Sequence, residues 1–245
     1  MKTALLVTAL LALSALGESM GLGPRGLSGW QGLSCSDVLQ EGTLRAGASL
    51  EYTGTPGGTI LMVPLRGCWG AAEDLELSAV ITMVPVDEPW SGSFLGDMTL
   101  AGGWLYETTR GGTALKLTGR LSLPTGEEFR DRGTELAFGG VTSTTFLDFR
   151  LSMSGEFALN GGRNPFEDHI RSVFYFTGGG TSYISPDFLL CGSLNGSTDG
   201  DLEAGASVQF IITENLTADC GISAGLEGYE DFGISAGFFW TGTGF

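Results

Sequence analysis

The stretch Phe146–Leu159, FLDFRLSMSGEFAL, decides the fold. Leu, Phe or Met occupies most of the odd-numbered positions, and most positions between them carry charged or hydroxyl side chains, such as Arg150 and Glu156. Successive side chains of a strand point to opposite faces, so this alternation describes a strand with one apolar and one polar face. Soluble strands usually end after about 5–6 residues, whereas a strand that crosses a membrane needs about 9–11. The stretch therefore predicts a transmembrane strand whose apolar face contacts lipid.

The same alternation recurs along the chain, and helical periodicity fits none of the alternating segments. Every second connection between these segments is short, and most of the others are longer and polar. Bacterial outer-membrane barrels have this asymmetry, because their periplasmic turns are short and their external loops are long. The sequence therefore predicts an all-β fold, a transmembrane antiparallel up-and-down β-barrel of about 12 strands. The predicted strands are 43–54, 58–69, 74–85, 96–107, 112–124, 134–143, 146–159, 169–178, 182–193, 203–213, 215–226 and 230–245.

The N-terminus has the pattern of a secretory signal peptide. Lys2 precedes an apolar run over 4–16, which ends in the small-residue pattern Ala15-Leu16-Gly17. We therefore predict a signal peptide over 1–17, an N-terminal periplasmic extension or partial plug over 18–42, and the transmembrane barrel over 43–245. This organisation predicts export to the outer membrane of a Gram-negative bacterium.

Composition narrows the class of protein further. The net charge is −16, which argues against nucleic acid as a partner. Charged residues make up 16% of the chain, against a usual ~25%, and 41 of the 245 residues are Gly. Acidic residues gather around the longer connections. We expect them to keep exposed loops soluble, to bind divalent cations that bridge to lipopolysaccharide, or to repel anionic solutes. We expect outer-membrane lipid and lipopolysaccharide as partners, together with the barrel-assembly machinery. This machinery would recognise a C-terminal signal that ends in Phe245. Thr243 and Thr241 weaken that signal, because these positions are usually aromatic or aliphatic.

Charged residues on the polar faces of the predicted strands would point into the barrel. Cations and anions are equal in number, and two interpretations of them stay open. Hydrogen-bonded ion pairs would fill the interior, or the charges would form a polar path that selects small solutes by size and charge. The predicted lumen residues are Arg45, Glu51, Arg66, Glu76, Lys116, Arg120, Asp148, Arg150, Glu156 and Asp219.

Other reactive side chains give few candidates for chemistry. His169 is the single histidine, so a metal cluster built on imidazoles is excluded. No residue is predicted to be catalytic, to bind a metal or to hold a cofactor, and the protein is not predicted to be an enzyme. Four cysteines allow three pairings, among which a disulfide between Cys35 and Cys68 would tie the N-terminal segment to the barrel mouth.

Several short motifs, in order, resemble the outer-membrane barrels known as transporters of the phenol meta-cleavage pathway. The resemblance covers most of residues 58–245 and implies a barrel of about 12 strands. It also implies a role in the uptake of small, often aromatic compounds. The motifs are Arg66-Gly67, Asp74-Leu75-Glu76-Leu77, Gly96-Asp97, Leu121-Ser122-Leu123-Pro124-Thr125-Gly126, Gly133-Thr134, Thr213-Glu214-Asn215-Leu216-Thr217-Ala218-Asp219 and Asp231-Phe232-Gly233, with a terminal Phe245.

The sequence thus predicts a passive channel or transporter for small solutes. Three alternatives remain open at this point. They are a structural or adhesion barrel with a filled lumen, a secreted soluble β-protein whose apolar faces pack inward, and an outer-membrane enzyme that uses His169.

Overall fold

A computed structural model describes residues 29–30, 33–55, 58–88, 95–108, 113–125, 134–147, 149–160, 171–227 and 232–244. The predicted signal peptide over 1–17, Asp148, His169 and Phe245 lie outside the described residues. No helix in these ranges is long and apolar enough to span a membrane.

Twelve antiparallel strands close into a single barrel. Each strand pairs with its neighbours in sequence, and the last strand pairs with the first barrel strand over Thr43–Gly54, which completes the ring. A separate two-stranded sheet, β1 (Gly29–Trp30) and β2 (Leu33–Ser34), precedes the barrel. The barrel strands are β3 (Thr43–Thr55), β4 (Gly58–Ala72), β5 (Leu75–Glu88), β6 (Leu95–Thr108), β7 (Thr113–Leu123), β8 (Glu135–Phe146), β9 (Phe149–Asn160), β10 (Arg171–Ser185), β11 (Phe188–Ser197), β12 (Leu202–Thr213), β13 (Leu216–Glu227) and β14 (Phe232–Thr243). The predicted fold class is confirmed.

The outside of the barrel is apolar and the inside is polar. On β9, Met153 is 66% exposed, whereas Ser152 and Glu156, on the other face, are buried. The same inversion holds on β13, where Ile222 is exposed and Asp219 is buried. A soluble sandwich buries its apolar faces, so the secreted soluble alternative is wrong. An apolar outer wall on a closed barrel is the arrangement of outer-membrane proteins, and the outer membrane is where this protein resides.

Most predicted strands agree with the structure within a few residues, and the largest difference lies in β10 and β11. The turn predicted at 179–181, between the predicted strands 169–178 and 182–193, lies inside β10, which continues to Ser185. A Cβ atom on Gly180 would lie 2.4 Å from the Phe149 ring, so this glycine makes room for an aromatic side chain of the neighbouring strand. The chain turns at 186–187 instead.

Candidate functional site: the barrel lumen

A buried ion pair occupies the end of the lumen where the connections are short. Lys116 on β7 and Glu76 on β5 are both fully buried, and Lys116 Nζ lies 2.8 Å from Glu76 Oε1. The other carboxylate oxygen, Glu76 Oε2, accepts a hydrogen bond from the backbone N–H of Leu39 and contacts Cys68 Sγ at 3.6 Å. An isolated charge would be very costly here, so the two strands are tied together by their opposite charges.

Residues 35–41, which we call the crossing segment, run through this end of the barrel. Lys116 Nζ donates a hydrogen bond of 3.0 Å to the Asp37 carbonyl, and the Arg150 guanidinium on β9 binds the Asp37 carboxylate through two nitrogens. The backbone N–H of Ser36 donates to Ser143 Oγ on β8 at 3.0 Å. The segment is therefore held by side chains of β7, β8 and β9 together.

Apolar contacts fix the two ends of the crossing segment on different parts of the wall. Leu39 packs against Cys68 on β4 and Phe239 on β14. Cys35 packs against Leu189 and Cys191 on β11. Strand β2, which comes just before the segment, lies against β9, β10 and β11. Within a few residues the chain thus passes from the β9–β11 side of the lumen to the β4–β14 side.

A close backbone approach makes Gly70 on β4 a sensitive position for the crossing segment. A Cβ atom there would lie 2.1 Å from the Gln40 carbonyl oxygen, so Gly70→Ala is expected to push the segment away from the wall. We predict that the amides of Ser36 and Leu39 then exchange hydrogen about tenfold faster. Gly67→Ala on the same strand is the matched control, since a Cβ there meets nothing within 4 Å. Equal exchange in both variants would contradict the prediction.

Most of the remaining lumen charges form two further groups. Arg120 binds Glu156 on β9 and Glu135 on β8, each at 2.6 Å. Arg66 on β4 binds Glu51 and Ser49 on β3, each at 2.5 Å. At the short-turn end, Arg45 Nε on β3 donates a hydrogen bond of 2.9 Å to Thr241 Oγ1 on β14.

Each predicted lumen residue that the structure describes faces the interior. Asp148, the remaining member of the set, lies outside the described residues. Sequence reasoning missed Asp37 and Glu135, which complete the ion pairs of Arg150 and Arg120. Glu135 opens a strand that alternates poorly, and Asp37 belongs to the segment before the barrel, where no periodicity indicates an inward direction. The role of these residues as a solute path stays a prediction.

No disulfide joins Cys35 to Cys68 in the structure. The prediction assumed that the N-terminal segment stays at the barrel mouth. The segment instead enters the lumen and carries Cys35 to β11, away from Cys68 on β4. Burial, reinforced by the charge of Asp37, raises the pKa of the Cys35 thiol to about 11. Disulfide exchange requires a thiolate, so this environment disfavours bridging at neutral pH.

A cavity of about 360 Å³ occupies the part of the lumen nearer the long connections. On one side it is lined by Glu51, Arg66 and Asp219. Strands β12, β13 and β14 contribute glycine and serine to its wall, and these small side chains leave the space open. The lining serines are Ser154, Ser193, Ser207, Ser223 and Ser235. The lumen is thus filled at one end and hollow toward the other.

Comparisons with known proteins agree on the fold. No known family profile matches this chain, and no curated protein sequence does. Among solved structures, the COG4313 outer-membrane channel from Pseudomonas putida F1 is similar over 84% of this chain and 98% of that one, with a TM-score of 0.62 and 13% identity. The NanC porin is similar over 80% of this chain and 98% of that one, with a TM-score of 0.64 and 10% identity. The KdgM porin, solved with disordered oligogalacturonate, is similar over 79% and 98%, with a TM-score of 0.59 and 9% identity.

The described residues offer no metal centre. No group of three or more His, Cys, Asp or Glu side chains within the described ranges is placed to hold a metal ion. The enzyme alternative depended on His169, which lies outside those ranges, so that alternative stays open to experiment.

Proposed function

We propose that this protein is a passive outer-membrane channel for small solutes, and that the crossing segment forms its narrowest part. The observation that carries the proposal is the cavity of about 360 Å³ inside a closed transmembrane barrel. A barrel of eight strands has an interior that side chains just fill, and one of about 16–18 strands leaves an aqueous channel. Twelve strands lie between these limits, so the width of the path depends on what the lumen holds.

The crossing segment supports the assignment of residues 18–42 as a partial plug. It bridges opposite parts of the wall at the short-turn end, which corresponds to the periplasmic side in barrels of this kind. Solutes that enter from the long loops would reach the cavity first and the segment second. Transport would then require only a local shift of the segment, with the barrel strands unchanged.

Small aromatic compounds are the finer solute class that we propose. The resemblance to transporters of the phenol meta-cleavage pathway motivates this choice. Tyr175 and Met62 line the cavity and offer an aromatic face and a polarisable thioether to a single ring.

A filled structural barrel is the second candidate function, and the ion pairs at the short-turn end favour it. Planar-bilayer recordings of the refolded full-length protein distinguish the two. We expect stepwise conductance, reduced by phenol but not by cyclohexanol, which matches phenol in size. A silent bilayer from protein that still migrates as a folded barrel on a gel would support the structural barrel instead. Conductance that both compounds affect equally would overturn the aromatic preference alone.

A further inference from the structure

The lumen cavity contains two buried polar atoms that lack a partner within the described structure. Arg66 Nε and Asp219 Oδ1 both line the cavity region, and neither forms a hydrogen bond. Both residues are more than nine-tenths buried, at 8% exposure each. A buried donor and a buried acceptor left unsatisfied are costly, and native proteins usually satisfy such groups with water or a ligand. This pair therefore marks a place where a bound molecule would gain two hydrogen bonds.

The charge of the cavity indicates which molecule fits. Among the lining residues that the structure describes, Arg66 is the one cation, against Glu51, Glu203 and Asp219. Arg66 forms an ion pair with Glu51 at 2.5 Å, so its positive charge is largely neutralised. The cavity is left with a net negative charge, which attracts cations and repels anions. The acid-rich long connections at the same end of the barrel reinforce this sign.

The hydroxyl groups of the wall add a second requirement. Serines from several strands present side-chain oxygens that both donate and accept hydrogen bonds. A solute with hydroxyl groups of its own satisfies them, whereas a purely apolar ring does not. The space of about 360 Å³ is large enough for one sugar ring.

We propose that this cavity is a binding site for small hydroxylated organic cations, such as a protonated amino sugar. The ammonium group binds Asp219 Oδ1, and a ring hydroxyl or ether oxygen accepts the hydrogen bond of Arg66 Nε. The remaining hydroxyls contact the serine wall formed by β11 to β14. The inference rests on the proposed channel function, because a solute must reach the lumen. It concerns a ligand that stays bound at Asp219 and Arg66, which is a class separate from the small aromatic solutes proposed to pass through the channel.

Three sugars of nearly equal size and different charge test the site directly. Glucosamine is protonated at neutral pH, glucose is neutral and glucuronate is anionic. Equilibrium dialysis of the refolded full-length protein against each sugar is expected to show retention of glucosamine, weaker retention of glucose and exclusion of glucuronate. Asp219→Asn keeps the shape of the side chain and removes its charge, and it is expected to weaken glucosamine binding by about tenfold. Glu214→Gln, in the exposed turn between β12 and β13, is the control and should leave binding unchanged.

Conductance separates this inference from the channel proposal. In a planar bilayer, glucosamine added on the long-loop side should block the current, and glucuronate at the same concentration should not. Binding without any conductance would reject the channel and leave the site in place. Conductance with equal effects of all three sugars, or binding that Asp219→Asn and Glu203→Gln both leave unchanged, would overturn the site. Gel mobility of the unheated variants confirms that each one is folded before these outcomes are compared.

Discussion

A chain that lacks residues 29–41 is expected to carry roughly threefold more current per open channel than the full-length chain. The deletion removes β1, β2 and the crossing segment, and the crossing segment occupies the short-turn end of the lumen. Side chains of β5, β7, β8 and β11 hold that segment across the interior, so water takes its place when it is removed. Conductance follows the narrowest cross-section, and the deletion widens that section while the wall stays intact.

The barrel itself should tolerate this deletion. Lys116 and Glu76 still neutralise each other, because their contact of 2.8 Å does not involve the segment. The ring of backbone hydrogen bonds from β3 to β14 is likewise complete without it. Arg150 loses its ion pair with Asp37, but the Arg150 guanidinium is then solvated by the water that fills the widened lumen.

Single-channel recordings of both chains under the same salt conditions measure the effect. Asp37→Asn is the informative control, since it keeps the segment and removes one of its anchors, and we expect a much smaller increase. Equal conductance of the deleted and full-length chains would mean that another part of the lumen sets the width. The proposal that the crossing segment forms the narrowest part of the channel would then be wrong, even if the protein conducts.

The strands were predictable from the sequence because lipid and lumen impose opposite polarity on alternate residues. Met153 and Ser152 show this directly, since one is exposed on the lipid face and its neighbour is buried inside. The glycines of β10 were misleading because glycine has two uses in a barrel. One is to turn the chain, and the other is to leave space for a ring such as that of Phe149. Only the neighbouring strand decides which use applies.

The candidate site was predictable in its charged residues but not in its shape. The alternation along each strand placed Arg66 and Asp219 inside the barrel, but it gave no indication that both line a cavity. The path of the crossing segment was even harder to predict from the sequence. Its contacts join Ser36 to Ser143 and Asp37 to Arg150, which are more than a hundred residues apart, and no local pattern over 35–41 indicates an inward path.

Lys116→Met is expected to lower the free energy of unfolding by about 3–5 kcal/mol. The substitution removes the cation that faces Glu76 where both side chains are fully buried. The Glu76 carboxylate would then lose its cationic partner, while the Leu39 amide and the Cys68 thiol still donate hydrogen bonds to it. The Asp37 carbonyl would lose its hydrogen bond as well. Equilibrium urea unfolding of the refolded barrel in lipid vesicles measures the change.

Two further variants show whether the loss comes from an uncompensated charge. Thr118→Val lies on the same strand and the same inward face of β7, and it is expected to change stability by less than about 1 kcal/mol. The double variant Lys116→Met with Glu76→Gln removes both charges while keeping an acceptor for the Leu39 amide, so it should recover at least half of the lost stability. Burial of one unpaired charge costs more than removal of the whole pair, and the double variant isolates that difference. A double variant as unstable as Lys116→Met would instead assign the loss to packing of the lysine stem, and the pair would then matter for its volume more than for its charge.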